Sequence, residues 1–184
     1  MIGVGVIGTG FGRAVHIPAF LAIPGVRVAG VASRDPERAR QVAAEYGLPR
    51  HFATWQELIE YPEVQAVSIA TPPRFHEEMA LAALAKGKAV LCEKPLALNA
   101  EQTRRMVDAA QDAGLANMVD FEFRAIPAWR LAKDLIDSGE LGTLRHVNVS
   151  WILHSWAEPS RPWSWRSDQT EGGGGAGGVW RPRR

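Results

Sequence analysis

The chain has 184 residues, 46% of them hydrophobic, which is enough apolar material for a globular core and excludes an intrinsically disordered protein. Its formal net charge is only +1, so composition offers no electrostatic basis for binding nucleic acid. With no apolar run near the ~20 residues that span a bilayer, no signal peptide and a lone cysteine, Cys92, we expect a soluble cytoplasmic protein without a membrane partner.

The first predicted strand runs into a glycine-rich turn. Apolar residues 2–7 predict a buried parallel strand, because a strand covered on both faces loses its in-out alternation. Gly8, Gly10 and Gly12 follow, and main-chain N–H groups reach a phosphate only where no Cβ intervenes. The turn is typical of a dinucleotide-binding loop, although Arg13 stands where the G-x-G-x-x-G/A pattern has its third small residue. Taken alone, it is equally compatible with a tight connection.

The second predicted strand, Val26–Ala32, ends in residues that favour one cofactor over another. Proteins that prefer NAD usually end this strand in Asp or Glu, which bind the ribose hydroxyls, whereas this chain has Ser33 and Arg34. A hydroxyl and the planar donor fork of arginine suit a 2′-phosphate, so the sequence favours NADP. The alternative is that Arg34 only solvates a loop. Asp35 is interpreted as the N-cap of the next helix, because Pro36 follows it.

Helix and strand signals then alternate with short turns up to residue 119. Helices are predicted at residues 11–23, kinked near Pro18, at 36–46, from a capping box at Thr54, at 75–86, and from Asn99 to 113. Strands are predicted at residues 64–70, 89–92 and 115–119. This β-α-β repetition predicts an α/β fold, with a doubly wound parallel sheet of the Rossmann type, over about residues 1–120.

Polar or turn-forming residues follow the predicted strands at one edge of this sheet, where ligands of doubly wound folds bind. Partial burial can lower the pKa of a lysine at such an edge until it exchanges protons near neutrality, which makes Lys94 the strongest catalytic candidate. The alternative is that Lys94 pairs with Glu93 or with cofactor phosphates. The segments at this edge are 8–12, 33–34, 71–73 and 93–95.

The pattern changes after about residue 120. Residues 127–138 predict a helix, and residues 144–156 alternate between apolar and polar side chains, which predicts a strand with one packed face. The segment that follows is rich in Trp and Gly and lacks periodicity. We therefore expect residues 121–184 to form an incomplete α+β second domain, with uncovered apolar surface around residues 147–153 that favours association.

Several segments together resemble the Gfo/Idh/MocA family of oxidoreductases, whose namesakes are glucose-fructose oxidoreductase and inositol dehydrogenase. They are GTGFGRAVHIPAF, VASRD, SIATPPRFHEEMALAALAKGKAVLCEKPLALN, and the stretch Trp163 to Arg166 before a glycine run, within residues 2 to about 175. The resemblance implies an NAD(P)-dependent enzyme that passes a hydride between the nicotinamide and a carbon of a sugar, polyol or related substrate. It also implies a homo-oligomer, and no metal site is expected.

The resemblance assigns roles by position, with Lys94 as the proton donor or acceptor. Without the resemblance, His76 is equally consistent with a surface residue at a helix start, and Arg124 with part of an interdomain ion pair. The four tryptophans of this region favour packing or a subunit interface over sugar stacking; they are Trp151, Trp156, Trp163 and Trp165. The implied residues are Gly8, Gly10, Phe11 and Gly12 for the pyrophosphate; Ser33, Arg34 and Arg38 for the adenosine ribose and its phosphate; Thr71, Pro72 and His76 for the nicotinamide side; Glu93 and Lys94 for the nicotinamide ribose and substrate; and Arg124 for substrate.

The chain departs from its relatives after the glycine run. Relatives continue into a larger open-sheet domain and carry an Asp-x-x-x-His pattern whose side chains join the lysine, but neither residue has a candidate after Gly178. We hypothesise a truncated or frameshifted product. The alternatives to an active enzyme are a non-catalytic remnant that binds NADP(H) and a dinucleotide-sensing partner subunit.

Overall fold

The computed structural model describes residues 1–150, 165 and 168–172. Residues 1–120, together with 165 and 168–172, belong to one compact unit, and the described residues 121–150 belong to a second. Within the described residues, no helix has both the length and the apolar character needed to cross a membrane.

The first unit is built on a sheet of six strands in the order β3-β2-β1-β4-β5-β6, and every neighbouring pair is parallel. From the central pair β1 and β4 the chain winds outward in both directions, so the predicted doubly wound α/β fold is confirmed. The two-residue β3 was missed because it is too short to carry a sequence pattern. The strands are β1 Ile2–Ile7, β2 Val26–Ala32, β3 His51–Phe52, β4 Ala66–Ile69, β5 Ala89–Cys92 and β6 Asn117–Val119.

The helices begin and end where local chemistry requires. The side chains of Asp35, Thr54 and Asn99 each accept a backbone N–H of the first helical turn, which confirms the predicted caps. The helix predicted at residues 11–23, with a kink near Pro18, forms over residues 11–21. It is irregular, with a π-helical turn, Gly12–His16, followed by a short α-helix, because Pro18 has no N–H with which to continue a regular ladder. The helices are α1 Ile17–Leu21, α2 Pro36–Tyr46, α3 Trp55–Glu60, α4 His76–Ala85, α5 Ala100–Ala113 and α6 Pro127–Asp137.

Two apolar clusters form the core of the first unit. One joins sheet residues to α1 and α2 through Ile17 and Val42, and the other joins sheet residues to α3, α4 and α5 through Leu58 and Met79. A Cβ on Gly5 in β1 would lie 2.4 Å from Leu58 Cδ2, so α3 packs directly against the backbone of that strand. Full burial of one such aliphatic side chain stabilises the fold by about 1.5–3 kcal/mol. The sheet that supports the strand ends is therefore packed tightly.

The second unit contains a 3₁₀ turn, Glu122–Ala125, and α6, which starts where the sequence predicts. The strand expected at residues 144–156 is wrong for the residues described, since 144–150 have no regular structure and Val147 and Val149 are 67% and 64% exposed. A strand forms by hydrogen bonding to a neighbour, and among the described residues no strand pairs with this segment. Residues 151–156 of that expectation, and Trp163, lie outside the described residues.

Candidate functional site

The loops that follow β1, β2, β4, β5 and β6 are held side by side at the carboxyl edge of the sheet. Backbone hydrogen bonds continue the strand ladder into these loops, which brings together the segments that the sequence predicts at one edge. The bonds run from Gly8 N to Ala32 O (2.9 Å), from Ala70 N to Ile7 O (2.8 Å), from Glu93 N to Ile69 O (2.9 Å) and from Asp120 N to Cys92 O (2.8 Å).

The three glycines after β1 have different surroundings. Gly8 has a φ of 111°, and a Cβ there would lie 2.5 Å from the carbonyl oxygen of Ala70. A Cβ on Gly12 would lie 2.9 Å from Cγ1 of Val6, so both positions are set by the protein's own packing. A Cβ on Gly10 would meet nothing within 4 Å. The open space at Gly10 is what a bound phosphate needs to approach the main chain, so the loop fits a dinucleotide.

The end of β2 is tied to the glycine loop by hydroxyl groups. Thr9 Oγ1 lies 3.1 Å from Ser33 Oγ, and the Ser33 hydroxyl also accepts the N–H of Asp35 at 3.3 Å. Thr9 was missed by the sequence analysis, and its only signal is its place between two loop glycines. This link sets the spacing between the two loops.

Two arginine side chains beside this loop are not used by the fold. Arg34 and Arg38 are exposed, and among the described residues their guanidinium groups have no ion-pair partner. Arg13 and Arg40, by contrast, are paired with Glu45 at 2.7 Å and with Glu37 at 2.6 Å. The guanidinium groups of Arg34 and Arg38 therefore remain available to an anion at the end of β2.

A buried hydrogen-bond network centred on His16 lies beneath the loops. Its Nδ1 is 2.6 Å from Ser68 Oγ, and its Nε2 is 2.9 Å from Glu93 Oε1 and 3.5 Å from Asp120 Oδ2. Phe11 packs edge-on against the His16 ring at 5.4 Å between ring centroids. Since an ionised carboxylate only accepts, Nε2 donates to Glu93, and in a neutral ring Nδ1 accepts the Ser68 hydroxyl proton. No pattern along the chain predicts a role for His16, Ser68 or Asp120.

The network sets the charge state of Glu93. Burial by itself raises the pKa of the Glu93 carboxyl, but the hydrogen bond and charge of His16, with the N–H and charge of Lys94, outweigh burial and hold that pKa below its ordinary value. Glu93 Oε2 accepts the Lys94 N–H at 3.2 Å. Glu93 is therefore an anion whose two carboxylate oxygens point to different partners.

Lys94 follows Glu93 at the end of β5, and the peptide bond from Lys94 to Pro95 is cis. Its side chain is exposed in the structure, so the expected partial burial of this lysine is not observed. The reason is its position on the open side of the loop after β5, whereas Glu93 turns inward toward His16. Lys94 thus extends from a corner that a buried carboxylate anchors.

His76 is fully buried and links the loop after β4 to the loop after β5. Its Nε2 lies 2.8 Å from the carbonyl oxygen of Thr71, and its Nδ1 lies 3.1 Å from that of Pro95. Burial lowers the pKa of the His76 ring, although the backbone carbonyls favour its protonated form. The ring holds the Thr71-Pro72 segment beside the Lys94 corner, and a direct contact between His76 and a cofactor remains a prediction.

Residues 168–172 pack against the same corner of the first unit. Glu171 Oε2 lies 2.9 Å from Arg74 Nε, and a Cβ on Gly172 would lie 2.6 Å from Cβ of Pro73 and 2.9 Å from Cδ2 of Leu98. Gly172 has a φ of 93°, so glycine suits this position for both backbone and packing reasons. Arg124 lies in the second unit, in the 3₁₀ turn, and its approach to a substrate remains a prediction.

One group of side chains could also offer ligand atoms to a metal ion. The ligand-type atoms of His16, Glu93 and Asp120 lie within 4.8 Å of one another. His16 Nε2 donates its N–H to the Glu93 carboxylate at 2.9 Å, so this nitrogen offers no lone pair to a metal ion. We therefore assign these atoms to hydrogen bonding.

Comparison with known proteins identifies the family. Residues 2–121 match the family described as "Oxidoreductase family, NAD-binding Rossmann fold". The chain belongs to the GFO/IDH/MocA oxidoreductase family. Residues 129–179 match the "GFO/IDH/MocA C-terminal domain". The six-stranded sheet and its helices thus have the NAD-binding fold of this family.

Individual known proteins resemble between 75% and 95% of this chain. Levoglucosan dehydrogenase of Pseudarthrobacter phenanthrenivorans is 36% identical over 95% of this chain and 47% of its own length. The crystal structure of an oxidoreductase domain protein from Kribbella flavida is 37% identical, with a TM-score of 0.88 over 95% of this chain and 49% of its own. A 3-ketoreductase from Actinomadura kijaniata, solved with NADP and TDP-benzene, is 34% identical, with a TM-score of 0.70 over 75% of this chain and 42% of its own. The chain spans about half the length of the curated relatives it matches.

Proposed function

We propose that the protein is an NADP-preferring oxidoreductase that moves a hydride between the nicotinamide and a carbon of a sugar, polyol or related substrate. The observation that carries the proposal is the glycine loop with open space at Gly10, held at one sheet edge with the Glu93–Lys94 corner. The family's NAD-binding fold supports the cofactor class. A relative that acts on levoglucosan supports the substrate class.

The cofactor residues follow from the geometry of the two loops. Backbone N–H groups of Gly10, Phe11 and Gly12 would hold the pyrophosphate, because the loop opens toward a helical N-terminus there. Gly8 would shape the turn that holds them, since its own N–H donates to Ala32 O. Ser33, Arg34 and Arg38 would hold the 2′-phosphate of the adenosine ribose. The NADP bound to the related 3-ketoreductase supports this preference.

Lys94 would carry the proton that accompanies hydride transfer. NADP(H), when bound, supplies or accepts the hydride. As a carbinol is oxidised, its C–H hydride leaves for the nicotinamide and its O–H proton passes to a base, and reduction of the carbonyl reverses both transfers. The Lys94 amine is exposed at this edge, and Glu93 anchors its backbone. Thr71, Pro72, His76 and Glu93 would form the nicotinamide side, and Arg124 would bind substrate.

The organisation of the whole protein is part of the proposal. We assign residues 1–120 to the cofactor-binding domain and residues 121–184 to a C-terminal substrate and oligomerisation domain, in a cytoplasmic homo-oligomer. The second candidate function is NADP(H) binding without turnover.

A cofactor titration combined with a turnover assay separates these functions. We expect the protein to bind NADPH at least about tenfold more tightly than NADH, since each charge-assisted bond to the 2′-phosphate contributes about 1.5–3 kcal/mol. The absorbance of NADPH reports the oxidation of sugars and polyols with NADP. This activity should be lost in Lys94→Ala, while NADPH should still bind. Tighter binding of NADH would overturn the cofactor preference. Binding without turnover of any substrate in wild-type protein would favour the second function.

A further inference from the structure

We propose that His16 is a positioning residue for Lys94, acting through Glu93. This inference rests on the proposed function, because it concerns the same catalytic corner. His16 lies in the π-helical turn after β1, and Glu93 and Lys94 follow β5, so the link joins the cofactor loop to the proton-transfer residue. π-Helical turns are rare and are frequently found at functional sites.

The side chains of His16 and Glu93 are both buried. His16 is 3% exposed and Glu93 is 8% exposed, so each polar side chain needs a partner inside the protein. The 2.9 Å bond between them satisfies one oxygen of the carboxylate, and the second oxygen accepts the Lys94 N–H at 3.2 Å. One carboxylate therefore connects the imidazole to the backbone of Lys94.

The imidazole ring of His16 is itself fixed in place. Ser68 of β4 lies 2.6 Å from Nδ1, and the edge contacts of Phe11 and Phe20 hold the plane of the ring. Asp120, at the end of β6, is 3.5 Å from the Nε2 that donates to Glu93. His16 thus contacts residues of β4 and of the ends of β5 and β6, and its orientation sets where the carboxylate lies.

The charge of the Glu93 carboxylate depends on the groups around it. The charged and titratable groups that face Glu93 are His16, Lys94, His76 and Cys92, with Asp120 reached through His16. Of these, only His16 donates a side-chain hydrogen bond to the carboxylate among the described residues. Without that donor, burial would favour the protonated acid, which could no longer accept at both oxygens with the same geometry.

The test compares two replacements of His16 with a matched core variant. His16→Gln keeps an N–H donor near the position of Nε2, His16→Met removes it at similar length, and Val42→Ala opens a cavity in the apolar cluster that also contains Ile17. The Glu93 carboxyl is titrated by ¹³C NMR without cofactor, and NADPH affinity is measured by fluorescence. The constants kcat and KM are measured with the sugar or polyol that the turnover assay identifies.

We expect His16→Met to raise the pKa of Glu93 by about one unit or more and to lower kcat by about tenfold or more, with the acid limb of the pH profile moved upward. Substrate KM and NADPH affinity should stay within about threefold, and His16→Gln should recover most of kcat. Val42→Ala should lower Tm without moving the Glu93 titration.

Equal loss in His16→Met and His16→Gln, or a Glu93 titration unchanged in His16→Met, would overturn the inference. If wild-type protein bound no NADP(H), the proposed function would fail, whereas the NMR titration would still report whether His16 controls Glu93. Should His16→Met not fold, the comparison of His16→Gln with Val42→Ala at matched Tm decides the same question from the pH profile.

Discussion

His16 Nε2 lies 2.9 Å from Glu93 Oε1, although 77 residues separate the two in the chain. The bond is possible because β1 and β5 flank β4 in the sheet, so the loops that follow them meet over the end of β4. Ser68 of β4 completes the contact at 2.6 Å from the other ring nitrogen. The corner that presents Lys94 is therefore supported by a neighbouring strand and by the turn of the cofactor loop.

Alanine at Gly8 should lower stability, whereas alanine at Gly10 should weaken cofactor binding. Gly8→Ala places a Cβ 2.5 Å from a backbone carbonyl at positive φ, so we expect the free energy of unfolding to fall by about 1–3 kcal/mol. Gly10→Ala meets nothing within 4 Å and should leave that free energy unchanged while weakening NADPH binding by about tenfold or more. Urea unfolding and NADPH titration measure the two effects. Wild-type affinity in Gly10→Ala would contradict the assignment of the pyrophosphate site.

Arg34→Ala should change cofactor preference without changing stability. Its guanidinium has no ion-pair partner among the described residues, so the fold loses little, whereas NADPH binding should weaken about tenfold or more and NADH binding should hardly change. Arg40→Ala is the matched control, because the nearby Arg40 on α2 is already paired with Glu37. Equal loss of NADPH and NADH affinity in Arg34→Ala would count against recognition of a 2′-phosphate.

Protonation of His76 should destabilise the protein in mild acid. Burial lowers the pKa of the folded ring below its ordinary value of 6.5, so below that pH the unfolded state binds more protons than the folded state. The free energy of unfolding should therefore fall with falling pH, by at most about 1.4 kcal/mol per pH unit from this one group. Urea unfolding between pH 7.5 and 5.5 measures the slope. His76→Asn should reduce it, and the exposed His51→Asn should not; the same slope in both would argue against this origin.

Cys92 should react with disulfide reagents only when the protein unfolds. Its side chain is buried, and burial together with the charge of Glu93 raises the pKa of the thiol to about 12, so the folded protein presents almost no thiolate at neutral pH. The rate of thionitrobenzoate release should rise with urea along the unfolding curve. Cys92→Ser provides the blank, and rapid labelling of native protein would contradict the prediction.

Local patterns were sufficient for most of the first unit. The apolar runs of β1 and β2, the caps at Asp35 and Asn99 and the left-handed glycine that ends α2 act within a few residues of their own position. They could therefore be predicted without knowledge of the fold. The prediction of a strand at residues 144–156 was wrong for the described residues 144–150. An alternating pattern creates an apolar face but supplies no neighbouring strand to which the segment could hydrogen-bond.

The amino-acid sequence by itself determined the α/β alternation, the glycine loop and the strand ends that carry Ser33, Arg34, Glu93 and Lys94, because each depends on residues close together in the chain. Only the tertiary structure decided that His16 bonds to Glu93, that Thr9 meets Ser33, that His76 turns inward and that Lys94 stays exposed. Those contacts join residues from different strand ends. Their neighbours are chosen by strand order in the sheet, which no spacing along the chain records.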